Sequence, residues 1–244
     1  MSDLDLPAPI SFGHTLVPHI PRAAPGHARS IRVVDVVKEY HTPIGVRRVL
    51  DGINFSIAIG EKIAVLGRNG AGKSTLVKLI GGVEPPTSGT IERGLFMSWP
   101  IGFSGGFSGT MSGYDNIRFI ARIYGVDPRE AIAKVDDFAE LGRQLKLPVA
   151  TYSTGQRSRL AFGLTLAVEF DCYLIDEVIS VGDQRFQRKC HEELFVKRSD
   201  KSMILISHDA NIVKSYCSKA LILKSGRGRT FDDMDFALSI YATL

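Results

Sequence analysis

Gly67-Arg68-Asn69-Gly70-Ala71-Gly72-Lys73-Ser74-Thr75 fits the pattern G-x-x-x-x-G-K-[ST], a loop that cradles phosphates. Glycines let such a loop curl until successive backbone N–H groups point inward at phosphate oxygens. A helix starting behind it adds the partial positive charge of its N-terminus. Lys73 is then expected to reach the β- and γ-phosphates and the Ser74 hydroxyl to hold Mg²⁺, with Gly67, Asn69, Gly70, Ala71, Gly72 and Thr75 completing the cradle. The flanks agree. Ile63-Ala64-Val65-Leu66 reads as a buried strand, and Leu76-Val77-Lys78-Leu79-Ile80 as the apolar start of a helix. The expected ligand is a nucleoside triphosphate.

Three other stretches carry chemistry. Cys172-Tyr173-Leu174-Ile175-Asp176-Glu177 is an apolar strand ending in two carboxylates. The first suits Mg²⁺ and the second is placed to polarise an attacking water. If this strand and the one feeding the loop are adjacent and parallel, both ends reach one edge of the sheet. Met203-Ile204-Leu205-Ile206 is another buried strand, and His208 just beyond it is a candidate for touching the γ-phosphate. Tyr152-Ser153-Thr154-Gly155-Gln156-Arg157 precedes an apolar helix from Leu160 to Val168 and by itself reads as a helix cap.

These residues need a framework. Residues 1–30 carry five prolines and little periodicity, so a flexible or extended Pro-rich N-terminal extension is expected. From Ile31 to Val37, and again over Ile53–Ile59, β-branched and alternating residues predict an antiparallel layer beside the main sheet. Glu84-Pro85-Pro86-Thr87-Ser88-Gly89 is a turn into a short strand at Thr90 and Ile91. Residues 98–116, with Gly102, Gly105, Gly106, Gly109 and Gly113, read as a surface loop or a hinge that moves with ligand state. Asp127-Pro128-Arg129-Glu130 is a helix start, followed by an apolar stripe of Ala131, Val135, Phe138, Leu141 and Leu145. A helical insert over about 114–170 follows, then alternating strands and helices. The main domain is expected over 31–225, with a short helical C-terminal tail at 226–244.

Composition sets outer limits. The 244 residues suit one α/β domain or a domain with a small subdomain, and 44% hydrophobic with 23% charged residues is ordinary for a globular chain. The net charge of +4 tolerates an anionic ligand, nucleic acid or an anionic surface without choosing among them. The cluster Arg185 to Lys189 is expected on a solvated helix face. Three cysteines without a C-x-x-C pair predict a reducing compartment, with neither a disulfide framework nor a zinc site. No apolar run is long enough to cross a bilayer, and the N-terminus has no signal-peptide pattern.

Taken together, the motifs resemble those of the ATP-binding cassette (ABC) family. The S-x-G-Q core at 153–156 is similar to the family's signature, and the order of motifs matches over residues 31–225. The resemblance implies a P-loop NTPase (RecA-like) core with an antiparallel β subdomain and an α-helical subdomain, with ATP and Mg²⁺ as cofactors. It assigns Tyr40 to the aromatic that stacks on adenine, a contact worth about 1–3 kcal/mol in nucleic-acid systems. Asp176 takes the Mg²⁺-holding role, Glu177 that of the catalytic glutamate, His208 that of the switch histidine and Asp183 that of the D-loop aspartate. Ser153 and Gly155 match signature residues that contact the γ-phosphate bound by the other subunit, with Gln156 beside them as a further nucleotide-binding residue of the signature, so two copies are expected to sandwich two ATP molecules. Two departures stand out: Ser108 occupies the place of the hinge glutamine, and Thr154 replaces a signature glycine, which requires a negative φ.

The departures resemble one branch. Met97-Ser98-Trp99-Pro100-Ile101-Gly102, the hinge without glutamine, Arg159-Leu160-Ala161-Phe162-Gly163 and Asp176–Asp183 look like the ATP-binding subunits of capsular polysaccharide exporters (KpsT type). That implies a polytopic membrane permease as partner, periplasmic and outer-membrane capsule export proteins beyond it, and lipid-linked polysaccharide as cargo. The chain is then expected to sit peripherally on the cytoplasmic face of a bacterial inner membrane. Export of O-antigen or teichoic acid is the neighbouring reading. A soluble ABC ATPase on nucleic acid or ribosomes is disfavoured by the single loop motif and the absence of heptads. A non-hydrolysing regulatory cassette is opposed by intact Lys73, Asp176, Glu177 and His208.

Overall fold

The structure is a computed structural model that describes residues 11–12, 15–16, 29–101, 107–176, 183–207 and 209–244. The expected catalytic Glu177 and His208, and the glycine-rich stretch 102–106, lie outside the described residues. Two compact units are present. One spans Ile20–Gly102 and Val168–Leu244; the other spans Phe103–Ala167 and includes a short hairpin near the N-terminus. The hairpin pairs β1 (Ser11–Phe12) with β2 (Thr15–Leu16), so part of the expected N-terminal tail is paired as strand.

The larger unit contains two sheets. β3 (Ser30–Thr42), β4 (Gly45–Ala58) and β6 (Ser88–Arg93) form the expected antiparallel layer in the order β4-β3-β6. Alternation places Ile53, Phe55 and Ile57 of β4 inward, with Ile31, Val33 and Val36 of β3. The main sheet comprises β5 (Lys62–Leu66), β7 (Met97–Ile101), β8 (Cys172–Asp176), β9 (Ser202–Ile206), β10 (Lys219–Lys224) and β11 (Arg227–Phe231). Its order is β11-β10-β5-β9-β8-β7, parallel except at β11. The central strands are buried on both faces, which is why they read as unbroken apolar runs. Helix α1 (Lys73–Ile80) buries Leu76, Val77, Leu79 and Ile80 in a core shared with Val65, Leu174, Ile204 and Leu221.

Three expectations are corrected. The loop-bearing strand β5 and the acidic strand β8 are not neighbours, because β9 lies between them; both still end at one edge since all three are parallel. Ser98–Ile101 is not loop but part of β7, and every residue of that strand is buried. Pro100 disguised it. Proline lacks the N–H a central strand needs, yet β7 is an edge strand, where that loss is tolerated. The Ser98 hydroxyl compensates in the shifted register by accepting from the Leu174 N–H at 2.9 Å. Finally, the expected helical tail begins with a strand, β11, which pairs along β10, before the helix α7 (Met234–Ala242) capped by Asp233.

Apart from that hairpin, the described residues of the smaller unit are mainly helical. α2 (Gly113–Tyr124) is capped by Ser112, and α3 (Pro128–Ala139) by Asp127, whose carboxylate accepts from the N–H groups of Arg129 and Glu130. α4 (Thr154–Ala167) packs on α3: Phe138 and Phe162 stack at 5.2 Å between centroids, and Gly163 lets Val135 approach. Back in the larger unit, α5 (Gln184–His191) exposes Arg185 and Arg188 while burying Phe186 and Cys190, and α6 (Ala210–Tyr216) follows β9. The three cysteines are buried and none forms a disulfide; burial pushes the Cys217 thiol up to about 12. Among the described residues no helix is long and apolar enough to cross a membrane.

Ser98→Ala strands the Leu174 N–H inside the sheet, and a buried donor left unmade costs about 1–3 kcal/mol. Urea denaturation should show that loss with an unchanged m-value, whereas Ser98→Thr should retain most of the stability.

Candidate nucleotide site

The loop between β5 and α1 is shaped by what surrounds it. Gly67 sits so close to β10 that a Cβ there would stand 2.5 Å from the Leu223 carbonyl oxygen. Gly72, at φ 105°, caps α1 in the left-handed region, and its Cβ would meet Leu50 Cδ2 at 2.7 Å and the Val49 carbonyl at 3.1 Å. Gly70, at φ 81°, has open space around it and is required by backbone conformation instead. The turn is closed by the Ala71 N–H donating to the Arg68 carbonyl at 3.1 Å. No side chain caps α1, so its first-turn N–H groups face the cleft as donors for an anion.

The cleft has a volume of about 630 Å³ and is lined by Asn69, Gly70, Gly72, Lys73, Ser74, Thr75 and Lys78 of the loop and α1. Tyr40 and Thr42 of β3, Arg47 and Val49 of β4, and Glu84 complete the lining. Lys73 is 8% exposed and donates to the Gly67 carbonyl at 2.7 Å. Its ammonium is thus held in the curl of the loop, beside the N–H groups that would take the phosphates.

Asp176 reaches the same edge. Ala64 of β5, Leu205 of β9 and Ile175 of β8 lie in one row across the sheet, and Asp176 is one residue beyond that row. Two strand spacings, about 10 Å, separate β5 from β8. The Ser74 hydroxyl and the Asp176 carboxylate are hard oxygen donors of the kind Mg²⁺ takes, on segments that follow or end the parallel strands β5 and β8. The chemistry of that donor pair fits the ion.

Tyr40 is half-buried on the cleft wall, and its hydroxyl donates to Glu84 Oε2 at 2.8 Å. Asp183 caps α5, accepting from the Phe186 N–H at 2.9 Å. In the helical unit Ser153 and Gln156 form a reciprocal cap at the start of α4. The Gln156 N–H donates to Ser153 Oγ at 3.2 Å, and the Ser153 N–H donates to Gln156 Oε1 at 2.9 Å. Gly155 beside them would take a Cβ with nothing within 4 Å.

The ABC transporter family profile matches residues 50–180. The ATP-binding protein BexA of Haemophilus influenzae is 57% identical over 211 residues, covering 86% of this chain and 97% of that protein. The capsule polysaccharide export ATP-binding protein CtrD of Neisseria meningitidis is 55% identical over 214 residues, 88% of this chain and 99% of that one. The polysialic acid transport ATP-binding protein KpsT of Escherichia coli is 43% identical over 197 residues, 80% and 88% respectively. The chain belongs to the ABC transporter family. Its fold agrees: a solved ATP-binding subunit of an ABC transporter superposes with a TM-score of 0.72 over 86% of this chain and 92% of that one, at 23% identity.

As an ABC cassette, the chain brings several of the expected site residues together. Tyr40, Asn69, Gly70, Gly72, Lys73, Ser74 and Thr75 share one cleft, with Gly67 and Ala71 shaping its loop. Ser153, Gly155 and Gln156 lie in the helical unit. Thr154 starts α4 without a positive φ, so the residue replacing the signature glycine is accommodated. Ser108 is tied locally: its hydroxyl lies 2.9 Å from that of Thr110, and its N–H donates to Asn116 Oδ1. Sequence reasoning missed Thr42, Arg47, Val49 and Glu84 on the cleft wall. Arg47 was recoverable in principle, since it stands opposite Tyr40 in the β3–β4 ladder, but only once the register was known.

Gly72→Ala imposes a left-handed φ on alanine, costing about 1–2 kcal/mol, and presses its methyl on β4. Calorimetric titration should show ATP affinity falling by at least about tenfold, with a lowered melting temperature.

Proposed function

We propose that this ABC cassette is the ATP-hydrolysing subunit of an exporter of lipid-linked capsular polysaccharide. What supports the nucleotide half is the cradle of first-turn N–H groups and Lys73 facing an open cleft. What supports the cargo is the likeness to CtrD across nearly its whole length. In this reading Tyr40 stacks on the adenine, and Lys73 and the loop N–H groups bind the β- and γ-phosphates. Ser74 and Asp176 hold Mg²⁺, which neutralises phosphate charge when bound. Glu177 takes the proton of the attacking water as its oxygen bonds in line to the γ-phosphorus, the bond from that phosphorus to the β–γ bridging oxygen breaks so that ADP and phosphate leave, and His208 senses the γ-phosphate.

A second copy supplies Ser153, Gly155, Gln156 and Asp183 across the bound ATP, completing each site. The permease partner is a polytopic membrane subunit, with periplasmic and outer-membrane capsule proteins further along the route. The chain itself works at the cytoplasmic face of the bacterial inner membrane. No role for nucleic acid enters this reading.

Glu177→Gln should cut ATP turnover by about 10²–10⁴-fold while leaving ATP binding intact and trapping an ATP-dependent dimer, read by light scattering. The same tagged variant, recovered from detergent-solubilised native membranes, should bring down a polytopic membrane protein. Recovery of ribosomes or nucleic acid without a membrane subunit would sink the exporter reading.

A further inference from the structure

We propose that Glu84 is a positioning residue for the nucleotide base, acting through Tyr40. This rests on the reading of Tyr40 as the base platform. Glu84 follows α1 in the turn that leads to β6, and it stands on the wall of the nucleotide cleft. A carboxylate there is a liability, because an anion facing a polyphosphate repels it unless its charge is committed elsewhere. Every contact it makes commits it. Oε2 accepts from the Tyr40 hydroxyl at 2.8 Å and pairs with Lys38 Nζ at 3.3 Å, while Oε1 faces Lys78 Nζ at 3.9 Å.

The same contacts define the ring. Lys38 is 9% exposed, donates to the Pro85 carbonyl at 2.9 Å, and lies over the Tyr40 ring at 5.0 Å from its centroid. One face of the ring therefore carries an ammonium, leaving the opposite face as the one a base would use. A tyrosine ring on a strand end otherwise rotates about two torsions, and ordering it on binding costs affinity. Here the hydroxyl is pinned from α1's far end and the ring face from β3 before any ligand arrives.

The titration behaviour agrees with this geometry. Burial, then the Glu84 hydrogen bond and charge, push the Tyr40 phenol above its ordinary value, against a smaller opposing effect of Thr75. Burial works against ionisation of Glu84, but the Tyr40 hydroxyl and the two lysines outweigh it and hold the carboxyl below its usual range. At neutral pH the phenol is a donor and the carboxylate an acceptor, the pairing the clamp requires.

The test compares ATP with inorganic tripolyphosphate, which has no base, by calorimetry on the full chain, with thermal melts confirming that each variant folds. Tyr40→Ala should weaken ATP roughly tenfold and spare tripolyphosphate. Glu84→Ala should weaken ATP about three- to tenfold without weakening tripolyphosphate, and Glu84→Gln, whose amide oxygen still accepts from the phenol, should recover most of the loss. Tyr40→Phe should match Glu84→Ala within about twofold, and combining the two should add nothing further. Equal weakening of both ligands by Glu84→Ala would overturn the proposal, showing that Glu84 acts on the phosphate loop. So would an unchanged ATP affinity in Glu84→Ala and Tyr40→Phe while Tyr40→Ala is impaired, an outcome that leaves Tyr40 as the base platform. If Tyr40→Ala itself binds ATP normally, the platform reading falls and this proposal with it.

Discussion

The larger unit depends on the close approach of one loop to two sheets. Gly67 presses against the β10 carbonyl at Leu223, and Gly72 presses against β4 at Val49 and Leu50. The turn after β10 meets β4 at the same place: Gly226 lies against the Val49 carbonyl, and the Asp51 N–H donates to the Gly226 carbonyl at 2.8 Å. Phosphate loop, parallel sheet and antiparallel layer are therefore locked at one junction. Any change in the separation of the sheets is felt first by the backbone that would grip the nucleotide. Glycine is required at 67 because the wall there is the Leu223 backbone, which cannot move aside as a flexible side chain would, and at 72 because the backbone takes a left-handed φ of 105°.

Much of this was legible because its causes are local. The Asp127-Pro128-Arg129-Glu130 cap predicted α3 because a carboxylate satisfying nearby N–H groups needs only a few residues of chain, and the structure shows those bonds. Val65, Leu174 and Ile204 announced buried parallel strands because strands covered on both faces need apolar residues throughout. The phosphate loop was readable because its glycines answer a conformational demand that no other residue meets.

What escaped depends on partners far along the chain. Strand order is set by crossovers, so nothing in the loop or in Asp176 says that β9 lies between them. Pro100 argued against a strand until β7 was known to be an edge, where the ladder does not ask for its N–H. β11 looked like a tail because Arg227–Phe231 is mostly exposed and polar, and only pairing with β10 makes it sheet. Glu84 gave no signal at all, since it meets Tyr40 across 44 residues and carries no motif of its own.

Gly155 is the reverse case of Gly67 and Gly72. A methyl group there meets nothing within 4 Å, and the residue sits in the first turn of α4, where glycine is a poorer helix former than alanine by up to about 1 kcal/mol. Folding thus gives no reason for a glycine at 155 and a small reason against one. Under selection for a stable monomer alone, the position would drift toward larger residues. Tolerance to substitution at 155 therefore says nothing about the fold of the described residues, whereas tolerance at 67 and 72 reads it directly.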